Sequence, residues 1–314
     1  MTVIGSSDLD VFPLGLGGNT FGWTSDKETS FAVLDAFAAA GGNHVDSADS
    51  YSAWVPGNAG GESETILGEW MRARGNRDSV IIGTKVGRKP DAKGLTRANV
   101  LAAADASLAR LQTDYIDLYY VHGDDDPELP IAEAAGVFNE LQKAGKIRYV
   151  GISNMTAPRL HEWFAVAAAE AYAAPVALQP HYNLVERTAY ESEIAPVAAE
   201  FGLGVLPYYA LASGFLAGKY RSGDDLAGAA RQRGASRYLQ TPTGPAVLAA
   251  LDAIAAERGV EQATVALAWL LTRPNVVAPL ASARTVEQLP ALLAAATLNL
   301  TADETAALDK ASAA

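Results

Sequence analysis

The 314-residue chain contains no cysteine. Structural disulfides, thiolate metal sites and cysteine nucleophiles are therefore excluded. Histidine is scarce too, with four widely separated residues, so no transition-metal centre is expected. No run reaches the roughly 20 apolar residues that a membrane span requires. Met1 to Asp10 carries neither a basic run nor an apolar stretch, so no secretory signal is read there and a cytoplasmic protein is expected. Positive charge is the scarcer sign. Against 36 Asp and Glu stand 24 Lys and Arg, a net charge of -12 that repels phosphate backbones and anionic lipid, so neither nucleic acid nor membrane is an expected partner.

What remains is ordinary globular composition, 49% apolar with 28 Gly and 15 Pro. This length fits two domains of about 150 residues or one α/β barrel of about 250, so the order of elements decides. Short β-branched runs alternate with alanine-rich segments of helical period along the whole chain. Eight strands are expected: Leu14 to Gly17, His44 to Asp46, Val80 to Lys85, Ile116 to His122, Ile147 to Ser153, Val176 to Pro180, Gly204 to Pro207 and Val276 to Pro279. Helical stretches follow them, several closed by glycine, among them Glu64 to Arg74, Ile131 to Ala144, Ser192 to Glu200 and, last, Thr285 to Ala296. Eight βα units imply a TIM-type (βα)8 barrel in a single domain over 1–314, whereas a doubly wound sheet normally stops at five or six strands. Val3-Ile4 and Leu9 to Phe12, around Gly5-Ser6-Ser7, are expected to form a β-hairpin plugging the barrel's N-terminal end. Ala210 to Gly244 reads as one long irregular loop, and only a short tail is expected beyond Leu300.

Reacting groups of such barrels sit at the C-terminal ends of strands, so polar residues closing apolar runs are the candidates. They are Asp46 with Tyr51 in the following loop, Lys85, His122, Ser153-Asn154, Gln179 and Tyr208-Tyr209. Singly, each has a plain structural explanation: a barrel-end salt bridge for Asp46 and Lys85, a loop aromatic for Tyr51, a core histidine for His122. Together, Asp, Tyr, Lys and His from three adjacent strands form a mixed acid/base set. A cationic Lys beside a phenol favours the phenolate and lowers its pKa, and His122 could orient a carbonyl oxygen. Other motifs fail. Gly15-Leu16-Gly17-Gly18-Asn19-Thr20 lacks the third glycine of a dinucleotide fingerprint, Gly151-Ile152-Ser153-Asn154-Met155 lacks the closing glycine of a hydrolase elbow, and His161-Glu162 has no zincin partner. Trp23 and Trp54, in loops after the first two strands, are candidates to line an apolar substrate pocket, although ordinary packing also explains them.

Several of these segments resemble the aldo-keto reductase family. They are Asp46-Ser47-Ala48-Asp49-Ser50-Tyr51, Gly83-Thr84-Lys85-Val86-Gly87, Asp114 to His122, Gly151-Ile152-Ser153-Asn154, Gln179-Pro180-His181-Tyr182-Asn183, Pro207 to Tyr220 and Ala281 to Thr285. The resemblance implies NADPH-dependent reduction of an aldehyde or ketone. Tyr51 would be the proton donor, tuned by Lys85 and Asp46, and His122 would orient the carbonyl. It further implies that Ser153, Asn154 and Gln179 hold the nicotinamide carboxamide, Tyr208 stacks on its ring, and Leu211, Ser213 and Gly214 pass the pyrophosphate. Arg284, opening the last helix, would face the 2'-phosphate, with Gln288 also in the cofactor site. Where the family often has an acidic residue and Asn against the adenine, this chain has Ala291 and Leu292. A TIM-barrel lyase or isomerase, and a cofactor-binding regulator without turnover, are the alternatives.

Overall fold

The computed structural model describes residues 1–221 and 237–313. Eight parallel strands form one sheet: β1 Gly15–Gly17, β2 His44–Asp46, β3 Ile81–Val86, β4 Ile116–Val121, β5 Ile147–Ser153, β6 Ala177–Gln179, β7 Gly204–Val205 and β8 Leu280–Ala281. They pair in chain order from β1 to β7, and β8 pairs with β1. A parallel bridge between Val205 and Val276, with the Leu280 amide donating to the Pro207 carbonyl at 2.9 Å, joins the remaining edges and closes the barrel. This is the expected (βα)8 barrel.

Alternation along the strands produces two cores. Leu118 and Tyr120 of β4 point into the barrel with Leu206 and Leu280, whereas Tyr119 and Val121 pack outward under the helices. The outer helix Ile131–Lys143 shows the required period, with Ile131, Ala135, Phe138 and Leu141 buried on one face. The expected hairpin is present as Thr2–Val3 against Asp10–Val11, and its Ile4, Leu9 and Val11 fill the barrel floor. There Gly204 and Gly5 meet backbone to backbone, and a Cβ at Gly204 would lie 2.7 Å from the Gly5 nitrogen.

Several expectations change. The last strand, expected at Val276 to Pro279, is split: Val276 makes a bridge, and the regular pairing moves to Leu280–Ala281 because Pro279 has no N–H to offer. The helix expected over Thr285 to Ala296 is three short turns, Val286–Gln288, Leu289–Leu293 and Ala294–Ala296, with Pro290 at the start of the middle one. The stretch past Leu300 is no tail. It forms a helix, Ala302–Ala311, opened by a reciprocal cap between Thr301 and Glu304 and tied by Arg258 to Glu304 at 2.6 Å. Likewise the helix expected over Ser192 to Glu200 begins with a π-turn, Tyr190–Ile194, before Pro196. Of the long loop 210–244, residues 222–236 lie outside the described residues, and Thr243–Arg258 is already helix. No helix among the described residues is long and apolar enough to cross a membrane.

Because the two cores share the same strands, we propose that 1–314 unfolds as one domain. Tryptophan fluorescence, dominated by buried Trp70, Trp163 and Trp269, and far-ultraviolet ellipticity are expected to report coincident thermal transitions. Two separated transitions would contradict it.

Candidate active site

The site is set by strand register. Asp46, last in β2, lies opposite Gly83 of β3, and Lys85, two residues on, projects to the same inner side. Glycine at 83 leaves room there, since a Cβ would approach the His44 ring at 3.2 Å and Asp46 Oδ1 at 3.7 Å. The turn after β2 then returns Tyr51 over the pair. Lys85 Nζ donates to Asp46 Oδ2 at 2.6 Å, to the Ser47 carbonyl at 2.7 Å and to Tyr51 Oη at 3.0 Å. Three acceptors match the three donors of an ammonium. Tyr51 Oη in turn donates to Asp46 Oδ2 at 3.2 Å, and the second carboxylate oxygen accepts from Gln179 Nε2 at 2.8 Å. His122 follows β4, its ring edge-on to Tyr51 with centroids 6.2 Å apart and its Nδ1 3.5 Å from Ser50 Oγ.

Electrostatics depart from expectation at one point. Burial, then the charge and hydrogen bond of Asp46, push the Tyr51 phenol well above its ordinary pKa rather than below it. Asp46 offsets the Lys85 charge at the phenol, so desolvation governs, and Tyr51 keeps its proton through the neutral range. Burial pulls the Lys85 ammonium down, and Asp46 opposes that shift. His122 is pushed well below its ordinary value by burial and by Lys85 and Arg88, so its imidazole is neutral.

A cavity of about 950 Å³ opens over these groups and continues as a groove along the barrel mouth. Its walls include Asp46, Tyr51, His122, Ser153, Asn154, Gln179 and Tyr208, then Leu211, Ser213 and Gly214, and finally Arg284, Gln288, Ala291 and Leu292. Many of these groups engage one another. Asn154 donates through Nδ2 to the His122 carbonyl and to Ser153 Oγ and accepts from Tyr208 Oη at 2.8 Å, while Ser153 Oγ donates to the Gln179 carbonyl. Gln288 Oε1 accepts from the Arg284 amide at 2.9 Å. Arg284 does not open one regular helix, since three short consecutive turns beginning with a 3-10 turn follow it, so a helix dipole is weakened there and the guanidinium is the main positive group. Trp54 lines the cavity, 6.2 Å from the Tyr51 ring. Trp23 is not in its wall; it packs edge-on behind Trp54 at 5.5 Å.

Sequence reasoning passed over three residues that the fold brings here. Arg88 and Lys219 line the cavity although neither ends a strand. Asp49, inside the Asp46 to Tyr51 segment, lies outside the cavity wall and is fully buried, and among the described residues neither of its carboxylate oxygens has a hydrogen-bond partner.

With this geometry the chain can be compared with known proteins. The Aldo/keto reductase family model matches residues 13–313, and the chain belongs to that family. It is 34% identical to Protein tas of Escherichia coli over 96% of this chain and 94% of the relative. It is 35% identical to aldo-keto reductase YhdN of Bacillus subtilis (93% and 87%) and 32% identical to norsolorinic acid reductase B of Aspergillus parasiticus (98% and 82%). Membership implies an oxidoreductase that uses a nicotinamide cofactor on carbonyl compounds.

Asp49 provides a test of the buried electrostatics. Burial and the nearby Glu64 raise its pKa to about 7, against the opposing pull of Arg110, Lys89 and Lys85. An acid held neutral in the folded state binds a proton that the unfolded chain releases, so its contribution is full below about pH 4 and is lost as pH rises to about 7. At about 1.4 kcal/mol per unit the whole window is on the order of 4 kcal/mol. Asp49→Asn is expected to flatten the fall in stability between pH 4 and 7, read as denaturation midpoints against wild type. An unchanged pH slope would refute the assignment.

Proposed function

We propose that this protein reduces an aldehyde or ketone to the alcohol with NADPH, using Tyr51 as proton donor. The observation that carries the reading is the buried Lys85 ammonium, bonded at once to Asp46 and Tyr51 beneath the cavity. Such a cluster holds a protonated phenol at a fixed place beside a neutral imidazole. His122 donates to the carbonyl oxygen and fixes its direction. Tyr51 then supplies its proton to the alkoxide, a far stronger base than the phenolate left behind, and Lys85 stabilises that phenolate at 3.0 Å.

The groove suits a dinucleotide. Ala212, Ser213 and Gly214 all take left-handed backbone at φ 48°, 59° and 94°, a run costing about 1 to 3 kcal/mol for each non-glycine member. Strain of this kind is characteristic of a ligand-shaped loop; the Ala212 and Gly214 amides donate within the loop, to the Tyr209 and Leu211 carbonyls at 2.7 and 2.8 Å, so it is the loop's shape that supports a pyrophosphate there. Ser153, Asn154 and Gln179 offer the hydroxyl and amide groups that hold a carboxamide, and Tyr208 offers a ring face. The cofactor, when bound, supplies the hydride; the protein supplies its orientation and the proton.

Loss of general acid catalysis costs about 10²- to 10⁴-fold, so Tyr51→Phe is expected to lose that factor in aldehyde turnover. NADPH binding, read by tryptophan quenching, is expected to survive the change. Lys85→Met should be similarly damaged, because Asp46 is left buried without its cation. Wild-type turnover in Tyr51→Phe at neutral pH would exclude the mechanism, and failure to bind any nicotinamide would favour the lyase or isomerase reading.

Cofactor choice is assigned to Arg284. A charge-assisted contact to the 2'-phosphate is worth about 1.5 to 3 kcal/mol, so NADPH is expected to bind roughly 10- to 150-fold more tightly than NADH. Arg284→Ala should remove most of this margin in parallel titrations. Equal binding of both cofactors to wild type would overturn it.

A further inference from the structure

Arg88 stands on a short antiparallel turn, Arg88–Lys89 against Ala92–Lys93, immediately beyond β3. Its guanidinium lies against the backbone of Gly123, the residue after His122, so closely that a Cβ at 123 would overlap it. Asp125 holds it from one side only, Oδ2 accepting from Nε at 2.7 Å and Oδ1 from Nη2 at 2.6 Å. Among the described residues Nη1 has no hydrogen bond. Arg88 lines the cavity, and Asp125 does not, so the cavity wall presents the cation with its counter-ion behind it. The side chain is 35% exposed, leaving it reachable by a ligand. The same mouth is walled by aromatic rings that stay half exposed, Trp54 at 51% and Tyr209 at 52%.

We propose that Arg88 is an anion subsite of the carbonyl pocket and that the substrates this protein prefers are aromatic aldehydes or ketones carrying a carboxylate. The proposal rests on the carbonyl-reducing reading above. A guanidinium fixed by two parallel bonds keeps its remaining N–H edge pre-ordered for a carboxylate, and little side-chain entropy is lost on binding. The flat rings at the rim match a flat substrate body. The overall charge of -12 disfavours anions at long range, which makes a local cation the deciding feature for an acidic substrate. The expected turnover converts the aldehyde group alone, one hydride and one proton added, while the carboxylate is untouched.

The test compares 3- and 4-carboxybenzaldehyde with their methyl esters, which lose the charge; the ester withdraws electrons more strongly and favours hydride acceptance, so a preference for the acid cannot come from ring electronics. With NADPH, at least one acid is expected to exceed its ester in kcat/KM by about tenfold, the scale of a charge-assisted hydrogen bond. In Arg88→Gln that ratio should fall towards one, and Arg88→Lys should keep part of it. A ratio near one in wild type, or an unchanged ratio in Arg88→Gln, would overturn the subsite. Should neither acid nor ester be reduced, the carbonyl-reducing reading fails, and the subsite is then read without turnover. Half-maximal quenching of the protein's tryptophan fluorescence, to which cavity-lining Trp54 contributes, is expected at about tenfold lower concentration of 4-(hydroxymethyl)benzoate than of its methyl ester, and the difference should vanish in Arg88→Gln. Equal quenching by both would overturn the subsite independently.

Discussion

A buried ammonium governs this molecule. Lys85 is 1% exposed, and an unpaired charge so placed would be costly to desolvate. It is tolerated because Asp46, the Ser47 carbonyl and Tyr51 all accept from it, and those three acceptors come from one short piece of chain. The register of β2 on β3 and the course of the turn after β2 therefore follow from one requirement. Asp46 accepts in turn from Lys85, Tyr51 and, across the barrel mouth, from Gln179 on β6. Strands four places apart in the barrel are thus linked through a single carboxylate. Removing one partner of a buried pair leaves the other uncompensated, at about 3 to 5 kcal/mol, so the cluster constrains the fold as well as the chemistry.

The charges around the mouth are unlike those of the whole chain. Arg88, Lys219 and Arg284 line the cavity, with Lys85 buried beneath it, in a protein with twelve more acids than bases. Glu261 and Glu287 share the far end of the groove, and Asp46 shares the near end. At His122 burial, reinforced by Lys85 and Arg88, keeps the imidazole neutral. A neutral imidazole can donate one hydrogen bond without carrying a proton that would compete with Tyr51. On the other side of β3 the balance reverses. Asp49 and Glu64 lie buried near each other. Glu64 accepts from Thr84 at 2.6 Å and Arg110 at 2.7 Å, whereas burial and the charge of Glu64 raise the Asp49 pKa to about 7.

The barrel was legible because its strands are short apolar runs whose ends carry polar residues, a pattern that survives without any knowledge of pairing. Asp46, Lys85, His122, Ser153 and Gln179 all stand at such ends, and the fold brings four of them to one cavity with Lys85 bonded beneath it to Asp46 and Tyr51. What escaped depends on three-dimensional context. Pro279 and Pro290 break segments whose apolar periodicity reads as continuous, and the last helix was hidden by a weak apolar face, with Leu308 alone buried in it. The direction of the Tyr51 shift needed distances, since Lys85 alone would lower it and Asp46 alone would raise it. Arg88 and Asp49 carry no local signal: one lies past a strand end in a basic turn, the other inside a segment read for its flanking residues.

The remaining polar groups of the cavity show how a site can be specific before it holds anything. Asn154 takes left-handed backbone at φ 50° and uses its amide on His122, Ser153 and Tyr208, so that residues from three loops are fixed relative to one another. A carboxamide arriving under the proposed reading exchanges these bonds for its own; it does not have to order loose side chains, and the entropy of ordering has already been met by folding. Among the described residues, the buried polar atoms that lack partners on Asp49, Tyr119, Tyr120 and His44 belong to residues outside the cavity wall, and Thr24 Oγ1 is the one such atom on a residue that lines it. Unsatisfied groups in the wall would draw water or any polar ligand, whereas a wall of mutually bonded groups admits only a ligand that replaces those bonds with equal geometry. Discrimination in this site therefore begins with the network that joins β4, β5 and β6, and the reacting residues beneath it are set by the same bonds.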